Sequence, residues 1–149
     1  MEKRNLGNTG TKVGALGIGA MSFSDFYGPT NTRESHAILK MALDNGIDHI
    51  DTAKVYGMGL SEERIGQFLN TLSPNDRQFF KIATKGGIDR KNFDDKGSVV
   101  FDNSKEFLTE ELNNSLRRLG VDCVELYYVH RREAERPIEE VTETLVEFI

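Results

Sequence analysis

Four side chains that could transfer protons each lie at or just after a short apolar run of this sequence. They are Asp51, Tyr56 five residues later, Lys85 and His130. A lysine ammonium beside a phenol stabilises the phenolate, which makes the tyrosine a better proton donor, and a carboxylate would hold the lysine in place. Each residue alone also has an ordinary structural role at a strand end. The four together predict a proton-transfer site if the fold brings them to one place.

The elements that would position these residues alternate between strands and helices. Strands are predicted at residues 15–21, in a run that ends at Asp51, at 79–84 and at 123–129. Helices are predicted at 32–45, from Ser61 to the break at Ser73-Pro74, from Asn103 or Ser104 to Gly120, and onward from Pro137. Such alternation predicts a parallel α/β sheet. Because the carboxyl ends of parallel strands share one edge, we expect the four residues on one rim.

Two architectures fit this pattern. One is an open doubly wound sheet of the flavodoxin type, and the other is a (β/α)8 TIM-type barrel of which only the N-terminal half is present. The last predicted helix meets no Gly, Pro or basic turn before Ile149, which favours the half-barrel. We therefore expect one domain over residues 1–149, with a β-hairpin at 1–14 and four βα units at 15–149.

The composition restricts the partners. With 149 residues, 38% hydrophobic and 29% charged, the chain is typical of a globular domain. A net charge of −5 without a basic patch argues against nucleic acid or a membrane surface as partner. No signal peptide or membrane-spanning stretch is found, so a cytoplasmic protein is expected. Cys123 is predicted to be a buried structural thiol, and the histidines and cysteine have no metal-ligand spacing.

Other residues in or near these segments have structural interpretations. Phe23 and Tyr27 lie on the loop after the first predicted strand, where they could line a pocket or cover the rim of the core. Lys54 is predicted to point to solvent. Glu125 lies inside an apolar strand and is predicted to form an ion pair with a basic residue on the helix side. Residues 17–22 lack the third glycine of a GxGxxG fingerprint, so they are interpreted as barrel packing.

Three segments resemble the landmark segments of the aldo-keto reductase family, in the family's order and separation. They are Asp51-Thr52-Ala53-Lys54-Val55-Tyr56-Gly57, Ile82-Ala83-Thr84-Lys85 and Leu126-Tyr127-Tyr128-Val129-His130-Arg131. Residues 6–10 and 16–21 are similar to the family's opening hairpin and first barrel strand, and residues 115–122 to the exit of its third helix. The resemblance covers almost the whole chain.

The resemblance implies a (β/α)8 barrel that reduces an aldehyde or ketone with NADP(H), without metal or flavin; NAD(H) is not excluded. Its catalytic tetrad matches Asp51, Tyr56, Lys85 and His130. In that scheme Tyr56 protonates the carbonyl oxygen, Lys85 makes Tyr56 a stronger acid, Asp51 anchors Lys85, and His130 orients the carbonyl. The resemblance also places Gly19, Ala20, Met21 and Asp51 near the cofactor and makes Phe23, Tyr27 and Val55 candidates for the substrate pocket.

The second half of the barrel has no counterpart in this sequence. A closed barrel typically has about 250 residues. The resemblance implies that the second half of the barrel would supply most of the contacts that bind the cofactor. The preference for NADP(H) therefore depends on the family alone. An open half-barrel leaves two sheet edges unpaired, which invites homo-oligomerisation. The alternative function is a truncated, non-catalytic half-barrel that binds a partner or assembles with another chain.

Overall fold

The structure of the protein, a computed structural model, describes residues 1–93 and 98–149 and alternates strands with helices. The strands are β1 (Lys3–Asn5), β2 (Lys12–Gly14), β3 (Gly17–Gly19), β4 (His49–Asp51), β5 (Lys81–Gly86), β6 (Ile88–Phe93), β7 (Val99–Phe101) and β8 (Leu126–Val129). The helices are α1 (Thr32–Asp44), α2 (Leu60–Leu69), α3 (Pro74–Phe79), α4 (Lys105–Leu119) and α5 (Ile138–Val146). Short 3-10 turns follow β3 and precede α2.

The main sheet consists of four parallel strands in the order β3-β4-β5-β8. Within this sheet, β3 and β8 each have one strand neighbour among the described residues. The predicted parallel α/β sheet is therefore confirmed. The predicted N-terminal hairpin is also confirmed as the antiparallel pair β1-β2, and Asp48 fixes it to the sheet by accepting a hydrogen bond from the Gly14 amide at 2.6 Å and pairing with Lys3.

Local signals in the sequence account for three of the helix ends. Asn31 caps α1 by accepting a hydrogen bond from the Glu34 amide at 3.0 Å, and Ser104 caps α4 by accepting one from the Phe107 amide at 3.3 Å. Gly120 ends α4 with a φ of 66°, a left-handed conformation that glycine adopts at little cost. The four predicted helices are thus confirmed with small shifts of their ends.

The hydrophobic core lies where the sheet packs against the helices. Ile50 of β4 and Ile82 of β5 are buried against Leu39 of α1 and Ile65 of α2. Full burial of such a side chain contributes about 1.5–3 kcal/mol. The buried core residues are Ala20, Phe23, Leu39, Ala42, Ile50, Ile65, Phe68, Leu69, Phe80, Ile82 and Leu119.

A buried polar cluster joins α2, α4 and β5. Glu62 of α2 has no exposed surface and accepts hydrogen bonds from Thr84 Oγ1 at 2.6 Å and Arg118 Nε at 2.7 Å. The two helices approach so closely that a Cβ on Gly66 would lie 2.2 Å from the Arg118 carbonyl oxygen. Since an unpaired buried charge is costly, the carboxylate and guanidinium hold α2 against α4 only as a pair.

Several predicted strands differ from the observed elements. Ser73 caps the unpredicted helix α3, so β5 begins at Lys81 rather than at residue 79. The strands predicted at 15–21 and 123–129 are shortened to β3 and β8, since the chain turns into a 3-10 helix after β3. The segment 88–103, for which neither a strand nor a helix was predicted before Asn103, contains the β6-β7 hairpin, and residues 94–97 lie outside the described part. Hydrogen bonds between the two backbones pair these strands, although the segment is rich in polar residues.

Lys54 and Cys123 contradict the sequence predictions. Lys54 is only 8% exposed, and its ammonium lies 2.9 Å from Glu111 Oε1 rather than in solvent. Burial raises the pKa of the Glu111 carboxyl, while Lys54 opposes that rise. Cys123 is exposed, because it precedes β8 instead of lying within a buried strand. Glu125 forms the predicted ion pair, with Lys81 Nζ at 3.5 Å, but this partner lies at the start of β5 and not on a helix.

The exposure of Cys123 predicts that a thiol reagent labels the native protein stoichiometrically. We expect the same number of thiols per chain to react with and without denaturant, because the sulfur needs no unfolding to become accessible. The measurement is mass spectrometry after brief alkylation, with Cys123→Ser as the unlabelled control. Labelling that requires denaturant would show that the thiol is buried after all.

Candidate active site

The carboxyl ends of the strands bring the candidate residues together. The sheet register aligns Asp51 of β4 with Ala83 of β5, two residues before Lys85. It also aligns Lys85 with Tyr128 of β8, two residues before His130. The three strand ends therefore deliver a carboxylate, an ammonium and an imidazole to the same edge.

The Lys85 ammonium is the centre of this site. Its Nζ donates to Asp51 Oδ1 at 2.5 Å, to the Thr52 carbonyl at 2.8 Å and to Tyr56 Oη at 3.3 Å. An ammonium has three donors, and these contacts use all of them. The lysine side chain is 14% exposed, so solvent screens its charge less than at an open surface.

Tyr56 reaches the ammonium from a tight turn directly after β4. Gly57 follows it with a φ of 64°, and a Cβ there would lie 2.8 Å from the Ser24 Cβ. Both the left-handed backbone and the close approach therefore favour glycine. The Tyr56 ring lies edge-on to the His130 ring, with the centroids 5.9 Å apart and an interplanar angle of 85°. The phenol thus has the ammonium on one side and the imidazole on another.

His130 is held by its backbone and carries a neutral ring. Its amide donates to the Gly86 carbonyl at 2.8 Å. Burial, followed by the positive charges of Lys85 and Arg131, holds the pKa of the imidazole below its ordinary value of 6.5, although Asp51 opposes this. The buried Nδ1 has no hydrogen-bond partner among the described residues. At neutral pH the ring is therefore an uncharged hydrogen-bonding group.

The lowered pKa of His130 predicts a pH-dependent contribution to stability. Below about pH 6.5 the unfolded chain takes up a proton that the folded imidazole resists, so the free energy of unfolding falls as the pH decreases through this range. In His130→Gln this contribution is absent. We subtract the unfolding free energy of His130→Gln from that of the natural protein. This signed difference is expected to decrease from about pH 8 to about pH 5 in urea titrations. A difference that grows toward acid would mean that the folded ring is easier to protonate.

The residues predicted to contact the cofactor differ in exposure. Gly19 lies next to Asp51 across the β3-β4 pair, and nothing lies within 4 Å of the position that a Cβ would occupy. Ala20 is fully buried and belongs to the core, and its carbonyl accepts a hydrogen bond from Ser61 Oγ at 2.8 Å. Met21 is half-buried. Of the three strand-one residues, Gly19 and Met21 have accessible surface.

The three residues predicted for the substrate pocket do not form one group. Phe23 is 1% exposed and packs in the hydrophobic core, because the 3-10 turn after β3 directs its ring inward. Tyr27 is 76% exposed, and its hydroxyl lies 3.8 Å from Met21 Sδ. Val55 is half-buried and directly precedes Tyr56. The Phe23 ring therefore has almost no surface to offer a substrate, whereas Tyr27 and Val55 remain candidates.

Two residues that support the site were not predicted to be part of it. Thr52 supplies a carbonyl to the Lys85 ammonium, and its own hydroxyl lies 2.9 Å from Ser61 Oγ. Ser61 also donates to the Ala20 carbonyl, so one hydroxyl pair connects β4, α2 and the end of β3. The sequence signal was only a serine near a helix start, which has a common capping role. Its burial could not be read from spacing.

The described residues include neither a metal-binding cluster nor a membrane-spanning helix. No group of His, Cys, Asp and Glu side chains there could hold a metal ion. No helix in that part of the chain is long and apolar enough to cross a membrane.

Comparisons with known proteins agree with this fold. The model of the aldo/keto reductase family matches residues 15–149. An aldo-keto reductase of Schizosaccharomyces pombe, whose name includes NADP(+), is 36% identical over 138 residues, which cover 93% of this chain and 39% of that protein. A probable voltage-gated potassium channel β subunit of Arabidopsis thaliana is 34% identical over 97% of this chain and 42% of its own length. A holo-form aldo-keto reductase structure from Bacillus halodurans superposes with a TM-score of 0.82 at 33% identity, covering 99% of this chain and 46% of that one.

The chain belongs to the aldo/keto reductase family. It spans about two-fifths of the length of these curated relatives. Its parallel sheet and partial coverage of the solved relatives match an N-terminal half of the family's (β/α)8 barrel, as the sequence predicted.

Proposed function

We propose that the protein reduces an aldehyde or ketone to an alcohol with NADP(H), using Tyr56 as the proton donor. The observation that carries this proposal is the Tyr56 hydroxyl 3.3 Å from the Lys85 ammonium, which in turn lies 2.5 Å from Asp51. A fixed cation beside a phenol stabilises the phenolate that remains after proton transfer. NAD(H) stays a candidate, and the expected cytoplasmic location belongs to the same proposal.

The open end of β3 fits part of a nicotinamide cofactor. Gly19 leaves the space above its backbone unobstructed, and Asp51 lies beside it, so a flat ring could approach both. Met21 could contribute a side chain, whereas buried Ala20 could contribute only its backbone. The name of the S. pombe relative, which includes NADP(+), supports this choice of cofactor. When bound, the cofactor would supply the hydride.

The side chains of the site would transfer the proton and stabilise the charge that this leaves behind. A substrate carbonyl oxygen that accepts a hydrogen bond from Tyr56 Oη would take the phenolic proton as the carbonyl carbon is reduced. Lys85 would stabilise the phenolate, and Asp51 would keep the ammonium in position. His130, uncharged at neutral pH, would orient the carbonyl oxygen by a hydrogen bond. Together these contacts favour the charge distribution of the transition state over that of the ground state.

The test is direct observation of turnover. The full natural protein is mixed with NADPH and an activated aromatic aldehyde, and the cofactor absorbance is followed; a reaction without aldehyde is the control. We expect sustained oxidation that requires both components. No oxidation of NADPH or NADH, together with no binding of either by calorimetry, would contradict the proposal.

A second candidate function is a non-catalytic half-barrel that assembles with another chain. It is favoured by the coverage of only 39% and 42% of two curated relatives and by edge strands β3 and β8, each paired on one side in the main sheet among the described residues. Unpaired strand edges present backbone groups that can bind a second copy. This function predicts a light-scattering mass of at least twice 16.8 kDa for the 149-residue chain, without turnover.

A further inference from the structure

Asn103 connects the exits of the two strands that carry Lys85 and His130. Its side-chain Nδ2 donates to the Arg131 carbonyl at 3.1 Å and, more weakly, to the Gly87 carbonyl at 3.5 Å. Gly87 lies two residues after Lys85, and Arg131 directly follows His130. One amide group therefore bridges β5 and β8 immediately beyond the residues that the proposed reaction uses.

The backbone N–H and the side-chain Oδ1 of Asn103 are both hydrogen-bonded to Glu133. Its amide donates to Glu133 Oε2 at 2.8 Å, and its Oδ1 accepts from the Glu133 amide at 2.8 Å. Asn103 is 1% exposed, and it directly precedes Ser104, which caps α4. The side chain is thus anchored on a helix end and locked to the loop that follows His130. A buried side-chain amide whose oxygen and nitrogen are both hydrogen-bonded holds its neighbours in one arrangement.

Gly87 has the conformation that this contact requires. Its φ is 94°, and a Cβ there would lie 2.6 Å from Asn103 Nδ2. A side chain at this position would therefore both strain the backbone and displace the amide. Gly10 offers a matched comparison, because its φ is 81° and nothing lies within 4 Å of a Cβ built there.

We propose that Asn103 is a positioning residue that, through the carbonyls of Gly87 and Arg131, keeps Lys85 and His130 at their mutual placement around Tyr56. Its catalytic meaning rests on the proposed reductase function, but its effect on His130 does not. A purely structural amide would only lower the free energy of unfolding when removed. Removal of a positioning amide would also change the surroundings of the His130 ring.

The test follows the His130 ring by NMR in protein labelled at the histidine Cε1, with the signal assigned through His130→Gln. In Asn103→Ala and Gly87→Ala we expect the His130 pKa to rise toward 6.5, because the released loop lets water reach the ring. The cross-peaks between the His130 and Tyr56 rings should weaken. Turnover with NADPH and aldehyde should fall in kcat by about tenfold to a hundredfold, with a smaller change in the KM for cofactor.

Two controls separate positioning from general destabilisation. Asn113→Ala removes an exposed asparagine amide from the same helix α4, and Gly10→Ala introduces a similar backbone strain without the clash; neither should shift the His130 signal. If the Asn103 and Gly87 variants fail to fold, hydrogen exchange in the natural protein still tests the proposal. The Asn103 side-chain amide protons should exchange with solvent much more slowly than those of Asn113.

The outcomes are distinct. Variants that lose stability while the His130 titration, the ring contacts and kcat stay unchanged would overturn the proposal, as would rapid exchange of the Asn103 amide protons. Absence of turnover in the natural protein would refute the reductase function alone. The NMR results would then decide whether Asn103 positions the ring.

Discussion

Replacement of Tyr56 by phenylalanine is expected to lower kcat for carbonyl reduction by about a thousandfold, the range over which a positioned general acid contributes. The hydroxyl is the group 3.3 Å from the Lys85 ammonium, and its removal leaves the ring and its edge contact with His130 in place. The cofactor should bind as before, since the proposed reaction uses the phenol only for the proton. The measurements are steady-state kinetics and calorimetric titration with NADPH.

Tyr128→Phe is the matched control for this prediction. The Tyr128 ring lies 5.9 Å from Lys85 Nζ, and phenylalanine would keep that ring beside the cation while losing a hydroxyl. We expect kcat within about threefold of the natural protein, since a partly exposed side-chain change of this kind has a small effect. Retention of most activity by Tyr56→Phe would show that another group donates the proton. Equal losses in both variants would show that the effect is not specific to Tyr56.

Replacement of Gly66 by alanine is expected to lower the free energy of unfolding by about 3 kcal/mol, because overpacking at a rigid contact usually costs about 1–3 kcal/mol or more. The added Cβ would lie 2.2 Å from the Arg118 carbonyl oxygen, a backbone atom that cannot rotate away. Helices α2 and α4 would have to separate, which also strains the pair of Glu62 and Arg118. Urea denaturation followed by circular dichroism measures the change.

The sign of this change is itself informative. In a helix interior alanine is about 1 kcal/mol more favourable than glycine, so the same substitution would stabilise the protein if α2 and α4 did not touch. Gln67→Ala, at the exposed next position of α2, should change the free energy of unfolding by less than about 0.5 kcal/mol. An increase in stability in Gly66→Ala would contradict the helix contact described above.

Much of the fold could be predicted from local features of the sequence. Asn31, Ser104 and Gly120 act through neighbours within four residues, so helix ends can be predicted from residue types alone. The parallel sheet followed from the alternation of elements, and the common edge of Asp51, Lys85 and His130 followed from the parallel strands. The residue types suggested the roles of Asp51 and Lys85, the family resemblance supplied that of His130, and all of these roles stay predictions.

Other features were wrong or missing because they depend on distant partners. Lys54 was predicted to point to solvent, yet Glu111 of α4, far along the chain, lies 2.9 Å from its ammonium. The sequence left open whether Phe23 lines a pocket or covers the rim of the core, and the turn after β3 placed it in the core. Asn103 looked like one of two alternative helix caps, and its four hydrogen bonds to Gly87, Arg131 and Glu133 had no local signal.

The amino-acid sequence by itself determined which groups exist, in what order they follow the strands, and where the helices start and stop, because these depend on contacts within a few residues. The tertiary structure decided which buried charges neutralise each other and which amide joins the ends of β5 and β8. Those choices depend on packing between segments far apart along the chain, where a difference of an ångström separates a hydrogen bond from an unpaired polar atom.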